Sequence, residues 1–596
     1  MLKRPDIQVA RTVAVLAVLG FHIGVPGFFN GFLGVDAFFV ISGFLMGMLY
    51  RDVKPLFFYR RRLMRLYPSL IATLLLFISL GVLVLQPFEL NQLAAQAISG
   101  ILGISNIAYW SQDSYFQPNR FRPFLNLWSL GVEIQFYLLF PFLLSLQRKI
   151  RLILPAIAAL SFLLNFLVLH ISPKTSFFLL PTRLWEFLVG MIIATSGSLG
   201  LRKKSRDFLL VAAVVFLALG FLIPINSSST NWITGHPGLN SLFVVISTAL
   251  ILKIGVAERR FNSFIGKAGV KIGDFSYEIY LFHFPLLAFI NYQAFTGTTT
   301  EVYSFGLAGL AIAATILMSY AVFKVNKVKA LRSAFTVSII SVGLLFSLSV
   351  IPVSRLALAG SSEISKVTSF AISDRSQYRC GKVFRVLNPT SELCLISKKF
   401  DSEKDNLLLF GNSHADMIKN EVVKAAGNRA NVYFWVQNSP FQLQTQEILN
   451  VLSKFKINKV LIHSSTANPE PNELIQLIGK GAHLEFLMLG SIPTYSENVP
   501  KIVHDNLTDE GLSFSKLDIG RYLVPESLAG DKYYESVNGS NFEYISTLEE
   551  MCRDSSCNWH DSKNNLYYFD TDHLTLTGAK AIRAPISIAV DKLLNK

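Results

Sequence analysis

Eleven apolar runs, each near the ~20 residues with which a helix crosses a bilayer, leave this chain few ways to fold. They fall near 8–22, 31–50, 67–86, 127–147, 152–171, 179–197, 208–224, 238–255, 274–292, 302–323 and 333–351. With 596 residues, 51% of them hydrophobic, and a mean hydropathy of +0.42, the chain reads as a multi-pass α-helical membrane domain of about 11 spans with a further domain attached. The first run has neither a short apolar core nor a small-residue cleavage site behind it, so it is expected to stay as the first span.

The formal net charge of +15 matters here through its placement rather than as a sign of nucleic-acid binding. With the N-terminus inside, the inner segments collect Lys3 and Arg4, then Arg51, Lys54, Arg60, Arg61, Arg62 and Arg65, then Arg148, Lys149 and Arg151. Further inner loops carry Arg202, Lys203, Lys204 and Arg206, then Arg259, Arg260, Lys267 and Lys271, then Lys324, Lys327, Lys329 and Arg332. The proposed outer loops hold only Arg120, Arg122 and Lys174. This asymmetry sets the orientation, and an odd number of spans puts the C-terminal part outside. The stretch 88–110, with Glu89, Asn91, Gln92 and Gln96, reads as a surface or re-entrant piece rather than a span.

From about 352 to 375 the composition turns to Ser, Ala and Gly, which reads as a linker. Beyond it NLLLFG, NVYFWV, KVLIHSS and LEFLMLG alternate with helix-like segments. That alternation predicts an α/β domain with a parallel sheet. The expected division is 1–323 for the core of the membrane domain, 324–375 for a further span and linker, and 376–596 for the outer domain. All four cysteines, Cys380, Cys394, Cys552 and Cys557, lie after the last run, so two disulfides are expected in an oxidising compartment. Their connectivity is open; Cys380–Cys394 with Cys552–Cys557 is a guess.

Ionisable residues inside the apolar runs carry the functional signal, because a charge at bilayer depth is costly unless it lines a polar cavity or has partners. Arg11 and His22 are eleven positions apart, close to three whole turns, so they share one helix face about 16 Å apart along the axis. Asp36 stands near the outer end of the second run, whereas the Ser42-Gly43 pair deeper in it reads as a close helix approach. Arg61 and Arg65, four apart, could grip phosphates from one face if helical; plain inside-positive anchoring is the alternative. Glu133, then Arg183 and Glu186, then Glu278 and His283 add ionisable groups on three separate runs, which suggests a shared polar cavity.

In the outer domain, LLLFGNSHADM sets Ser413 between a strand and a helix, where backbone N–H groups favour an oxyanion. YYFDTDHLTLTGA supplies Asp570 and His573, so one loop can present a histidine base with its orienting carboxylate. The plain alternatives are an N-cap serine and a surface histidine. No Gly-x-Ser-x-Gly elbow is present.

RPDIQVARTVAVLAVLGFH, GFLGVDAFFVISGFL, FYRRRLMRLYP, LWSLGVEIQFYLLFP, PTRLWEFLVG and SYEIYLFHFP together resemble the bacterial membrane acyltransferase-3 family over about residues 1–323. FGNSHA and DTDH resemble the first and last blocks of the SGNH hydrolase superfamily, and LGSIPTYSENVPK resembles a segment of acyltransferases fused to that domain. Two departures from the family stand out: Asn126-Leu127 where His-Thr is usual, and FKVNKVKALR after the tenth helix; Asn412 also replaces the usual first-block Asp.

The resemblance implies ten helices, a signature pair in Arg11 and His22 with the histidine as acyl-transfer base, and family positions at Asp36, Arg61, Arg65, Trp128 and Glu133. It implies Ser413, Asp570 and His573 as a triad, with Ser413 N–H as an oxyanion donor. The expected activity is O-acyl transfer, of the O-acetyl type, from cytoplasmic acetyl-CoA as donor substrate, with no bound cofactor or metal. The acceptor would be a sugar hydroxyl of a surface polysaccharide or its lipid-linked precursor, such as lipopolysaccharide O-antigen. The implied location is the bacterial inner membrane among its lipids, N-terminus cytoplasmic and C-terminal domain periplasmic, with no nucleic-acid partner. A membrane-anchored carbohydrate esterase and a peptidoglycan O-acetyltransferase are the alternatives.

Overall fold

The computed structural model describes residues 4–595 except 51–53, 112–120, 198–201, 223–224, 226–228, 230, 294–297, 300–304, 327–342, 344, 349–362, 377–379, 382–392, 438–442, 466–469, 510–513, 530–531, 533, 535–536, 538 and 554–555. The chain divides into two compact units, one of residues 1–293 with 297–355 and one of 294–296 with 356–596.

In the first unit, ten of the apolar runs form helices: α1 Pro5–Ile23, α2 Gly34–Leu49, α3 Pro55–Val84, then α6 Leu127–Lys149, α7 Ile153–Ile171, α9 Leu180–Thr195, α10 Lys203–Leu222, α11 Leu239–Ile254, α13 Ser276–Ile290 and α14 Phe305–Asn326. Among the described residues, seven helices are long and apolar enough to cross a membrane. Most of the eleventh run, 333–351, lies outside the described residues, as do Arg120, Lys327, Lys329 and Arg332. The 88–110 stretch is two short helices, α4 Pro87–Ile101 and α5 Ser105–Ser111, broken at Gly103, whose φ of +68° favours glycine. Neither reaches the length of a span. The unit also contains the short helices α8 Pro173–Phe178 and α12 Phe264–Asp274.

The Ser42-Gly43 pair is a close approach, as its small side chains predict. A Cβ on Gly43 would stand 1.9 Å from the Phe187 carbonyl oxygen of α9, and one on Gly190 would stand 2.1 Å from the Val40 oxygen of α2. Two backbones touching through glycines are the usual way helices pack where no hydrophobic effect drives them together.

In the second unit the strands of the main sheet are β1 Cys394–Leu395, β2 Asp405–Gly411, β3 Ala430–Val436, β4 Lys459–His463, β5 Glu485–Leu489 and β6 Phe542–Ile545. They pair in the order β1-β3-β2-β4-β5-β6, parallel throughout except at β1. Alternate side chains enter opposite layers: Leu407, Leu409, Leu461 and Leu487 pack on one face, Leu408, Phe410, Ile462 and Met488 on the other. Helix α15 Glu363–Ser373 precedes the sheet, α16 Ser413–Ala426 follows β2, α17 Thr445–Lys454 and α18 Pro471–Lys480 flank β4, α19 Val499–Asp509 follows β5, and α20 Leu576–Ala581 and α21 Arg583–Leu594 close the chain. The disulfides pair Cys380 with Cys394 and Cys552 with Cys557.

The segment read as a linker needs correction. Residues 363–373 are helical, and Val367 and Ala371, one turn apart, are buried in the layer that also holds Val499, Ile502 and Val503. The Ser- and Ala-rich composition conceals a narrow apolar stripe that a two-residue repeat cannot announce.

Gly43→Leu is expected to be destabilising beyond the ~1–3 kcal/mol of ordinary overpacking, because the obstructing atom is a backbone oxygen that cannot rotate away. Loss of the monodisperse peak in detergent size-exclusion chromatography, with Met48→Leu as a control, checks this.

Candidate active site

The α/β domain offers the clearest constellation. The chain leaves β2 for β3 on one side and later returns to β4 on the other, which makes the carboxyl end of β2 the switch point where open parallel sheets bind ligands. Ser413 stands there as the first residue of α16, one residue beyond Gly411 and Asn412, and is exposed. Asn412 caps the helix: its side chain accepts the His414 N–H at 2.9 Å, and its amide donates to Ser465 Oγ at 3.0 Å. The cap thus falls to Asn412, which frees the Ser413 side chain.

Ser413 Oγ lies 2.7 Å from His573 Nε2. On the other side of the imidazole, Nδ1 lies 3.1 Å and 3.2 Å from the two Asp570 oxygens, and the His573 backbone N–H donates to Asp570 Oδ1 at 2.8 Å. The structure therefore brings Ser413, Asp570 and His573 together. The loop that carries them is pinned by α19 and the segment before it: the Tyr495 N–H donates to the Thr571 oxygen at 2.9 Å and the Val499 N–H to the Asp570 oxygen at 3.2 Å. This gives LGSIPTYSENVPK a physical role.

Two further residues join the loop that motif reading passed over. Asp572 Oδ1 lies 3.0 Å from His573 Nδ1, and Asp572 Oδ2 accepts from His414 Nε2 at 3.3 Å. His414, buried beneath Ser413, packs toward the equally buried His463 at 6.2 Å between ring centroids. Burial opposes charge on His573, but the carboxylates of Asp570 and Asp572 overcome it and push its pKa up to about 10. Burial would by itself raise the Asp572 carboxyl, yet its bonds to His414 and His573 hold it below the usual range. Burial lowers His414, and it takes His463 down to about 3. His414, Asp572 and His573 also present ligand atoms within 4.8 Å of one another, the one group of this kind among the described residues that could hold a metal ion.

In the helical unit, Arg11, Arg65 and Glu133 come together around two adjoining cavities, of about 70 and 720 Å³, whose linings share Arg11, Leu45, Arg65 and Tyr277. Glu133 accepts from Ser42 Oγ at 2.7 Å and from the Tyr137 hydroxyl. Arg62, which the spacing argument set aside, lines the smaller cavity and donates to the Tyr50 hydroxyl. Arg61 is exposed with its guanidinium over Phe57, and it lines neither cavity.

The remaining positions lie apart from these linings. His22 Nδ1 donates to the Val18 oxygen at 2.9 Å, and its ring faces His283 of α13 at 5.2 Å. Asp36 pairs with Arg183 of α9 at 3.0 Å. Trp128 packs against Phe39, Phe177 and Phe178. Asn126 donates to the Tyr280 backbone oxygen at 2.7 Å and so ties α6 to α13.

A polytopic helical unit with a cationic cavity and a separate parallel α/β domain with a Ser–His–Asp cluster define a two-part class of membrane acyl-transfer proteins. The acyltransferase domain family matches residues 4–324, and the SGNH domain known as fused to acyltransferase-3 domains matches 379–587. The chain belongs to the acyltransferase-3 family, in its SGNH-fused form. It is similar to the O-acetyltransferase OatA of Staphylococcus aureus (strain NCTC 8325), 32% identical over 313 residues, which is 48% of this chain and 51% of that protein. The chain thus spans about half the length of that relative. It is also similar to the solved periplasmic domain of a lipopolysaccharide acetyltransferase from Salmonella ser. Paratyphi A, with 16% identity, a TM-score of 0.30, and coverage of 39% of this chain and 98% of that one.

For His573 to take the Ser413 proton it would have to be neutral, and the facing carboxylates, which push its pKa up to about 10, favour the imidazolium at neutral pH. Reactivity of Ser413 toward an acylating or phosphonylating probe is therefore expected to climb with pH toward about 10. Asp572→Asn removes one of the two facing carboxylates and should move that limb down by about 1–3 units. Labelling rates followed from neutral to alkaline pH check both; an unmoved limb would count against Asp572.

Proposed function

We propose that this protein is an inner-membrane O-acyltransferase, of the O-acetyl type, acting on a sugar hydroxyl of a cell-surface polysaccharide such as lipopolysaccharide O-antigen. The carrying observation is Ser413 Oγ at 2.7 Å from a histidine that is itself held by Asp570, in a chain that also has an arginine-lined membrane cavity. Neither half alone needs the other; group transfer through a membrane needs both.

Acyl-CoA enters the Arg11 and Arg65 cavity, where guanidinium groups suit its phosphates. In net terms the acyl carbon exchanges its bond to the CoA sulfur for one to Ser413 Oγ, with His22 assisting release, and the proton that leaves Ser413 balances the one CoA takes up on leaving as the thiol. His573 then takes the Ser413 proton, Oγ attacks the acyl carbon, and the Ser413 N–H faces the developing oxyanion. A sugar hydroxyl attacks the seryl ester in turn. Its proton passes to His573 and back to Ser413, so the enzyme is regenerated and the sugar ester leaves.

Ser413→Ala and His22→Ala are each expected to abolish acylation of the surface glycan at unchanged protein level. NMR or mass spectrometry of glycans from deletion and complemented cells reads this out. Acyl groups lost from lipopolysaccharide on deletion support the assignment, loss from peptidoglycan instead moves the acceptor, and a gain makes the protein an esterase. Arg65→Ala should raise the KM for acyl-CoA by roughly tenfold or more, as for a lost charge-assisted contact. Arg61→Ala should leave it within about twofold, as for an exposed surface charge; equal effects would reject the placement.

A further inference from the structure

Three consecutive residues upstream of the matched SGNH segment touch the Ser413 site from three directions. Asp374 ends α15 with its N–H on the Phe370 oxygen at 2.8 Å. Its backbone oxygen accepts the Leu576 N–H at 2.8 Å, and its carboxylate accepts the Thr577 N–H at 2.9 Å and hydroxyl at 2.7 Å. Those are the first two N–H groups of α20, which begins three residues after His573. A carboxylate at that end satisfies donors the helix leaves open and favours its dipole.

Arg375 places its guanidinium 3.9 Å from the centre of the Phe569 ring, and Phe569 stacks on His573 at 5.6 Å with 15° between planes. A cation over an aromatic face is attracted to it and restricts the ring. Ser376 donates its hydroxyl to the Asp416 backbone oxygen at 3.0 Å, in the first turn of the Ser413 helix. The segment is anchored from behind, because Val367 and Ala371 of α15 are buried beside Val499 and Ile502 of α19. The SGNH match begins only at residue 379, so Asp374, Arg375 and Ser376 lie outside the matched segment although their partners lie within it.

We propose that Asp374, Arg375 and Ser376 form a positioning clip that holds the His573 loop and the Ser413 helix in register. The clip's contacts to the base run through Phe569 and α20, and its contact to the nucleophile runs through the Asp416 carbonyl. A register error near 1 Å at a reacting pair costs about 100-fold in rate, so the clip acts on Ser413 reactivity without touching a reacting atom. The inference rests on the reading of Ser413 as an activated nucleophile.

The test uses the full-length protein in its own membranes and a fluorophosphonate probe. Ser413 Oγ forms the P–O bond, the P–F bond breaks, fluoride leaves and the hydroxyl proton goes to His573. Labelling that disappears in Ser413→Ala supports the underlying reading, and labelling unchanged in Ser413→Ala would overturn that reading itself. Given a labelled Ser413, Arg375→Ala and Asp374→Asn are expected to slow labelling roughly 10–100-fold. Arg375→Lys should recover part of the rate by keeping a cation over Phe569. Parental rates in Arg375→Ala and Asp374→Asn would overturn the clip while leaving the nucleophile standing. Melting of the same preparations separates positioning from plain stability: slowing at a parental melting temperature supports the clip, and slowing only in proportion to lost melting temperature, without rescue by Arg375→Lys, overturns it.

Discussion

Arg183 has no exposed surface, and it stands 3.0 Å from Asp36 and 3.1 Å from Glu186. A guanidinium at bilayer depth is tolerable only when paired, and Asp36 of α2 and Glu186 of its own helix supply the partners. The pair therefore acts as a bolt between α2 and α9, at a joint already closed by Gly43 against the Phe187 carbonyl and Gly190 against that of Val40. On its other side α2 gives Ser42 to Glu133 of α6. Fixed on both flanks, α2 forms a rigid wall of the cavity lined by Arg11 and Arg65. The ionisable positions of the membrane part thus fall into a structural set around Arg183, a set lining the cavity with Arg11, Arg65 and Glu133, and the facing pair His22 and His283, which belongs to neither.

That division was invisible in sequence for a physical reason. Period and apolar length located the helices, and the cost of a charge in lipid picked out Arg11, Asp36 and Glu133, but neither says which neighbour a charge meets. Asp36 was legible as an anomaly, whereas its partner Arg183 depends on how α2 crosses α9. The i,i+4 spacing of Arg61 and Arg65 was sound as helix geometry. Which arginines turn inward was decided by Tyr50 and Tyr137, which give the adjacent Arg62 aromatic faces and a hydroxyl.

The α/β domain was more legible. Four apolar runs became parallel strands whose alternating side chains feed two layers, and the strand-to-helix junction set Ser413 at the switch point. Asp572 and His414 were missed although each adjoins a residue that was chosen. A triad motif specifies one carboxylate and one imidazole, so a second of each carries no signal in sequence. Helix α15 is hard to read because its stripe is short, Ile364, Val367 and Ala371, and lies in a polar background.

Asp570, Asp572 and His573 lie within four residues, so the proton affinity of His573 is a property of one short loop rather than of residues gathered from distant elements. A loop of that length cannot hold two carboxylates against one imidazole by itself, because like charges at close range repel. His414 takes up one Asp572 oxygen from below, and the backbone N–H groups of His573 and Asp572 occupy Asp570 Oδ1 at 2.8 and 3.1 Å. Each carboxylate therefore has a partner besides His573, and the repulsion between them is offset locally. The loop's position is a separate matter, settled by Tyr495 and Val499 on one side and by Asp374 beyond its end. Electrostatics inside the loop set how strongly His573 binds its proton, and packing around the loop sets where that proton meets Ser413.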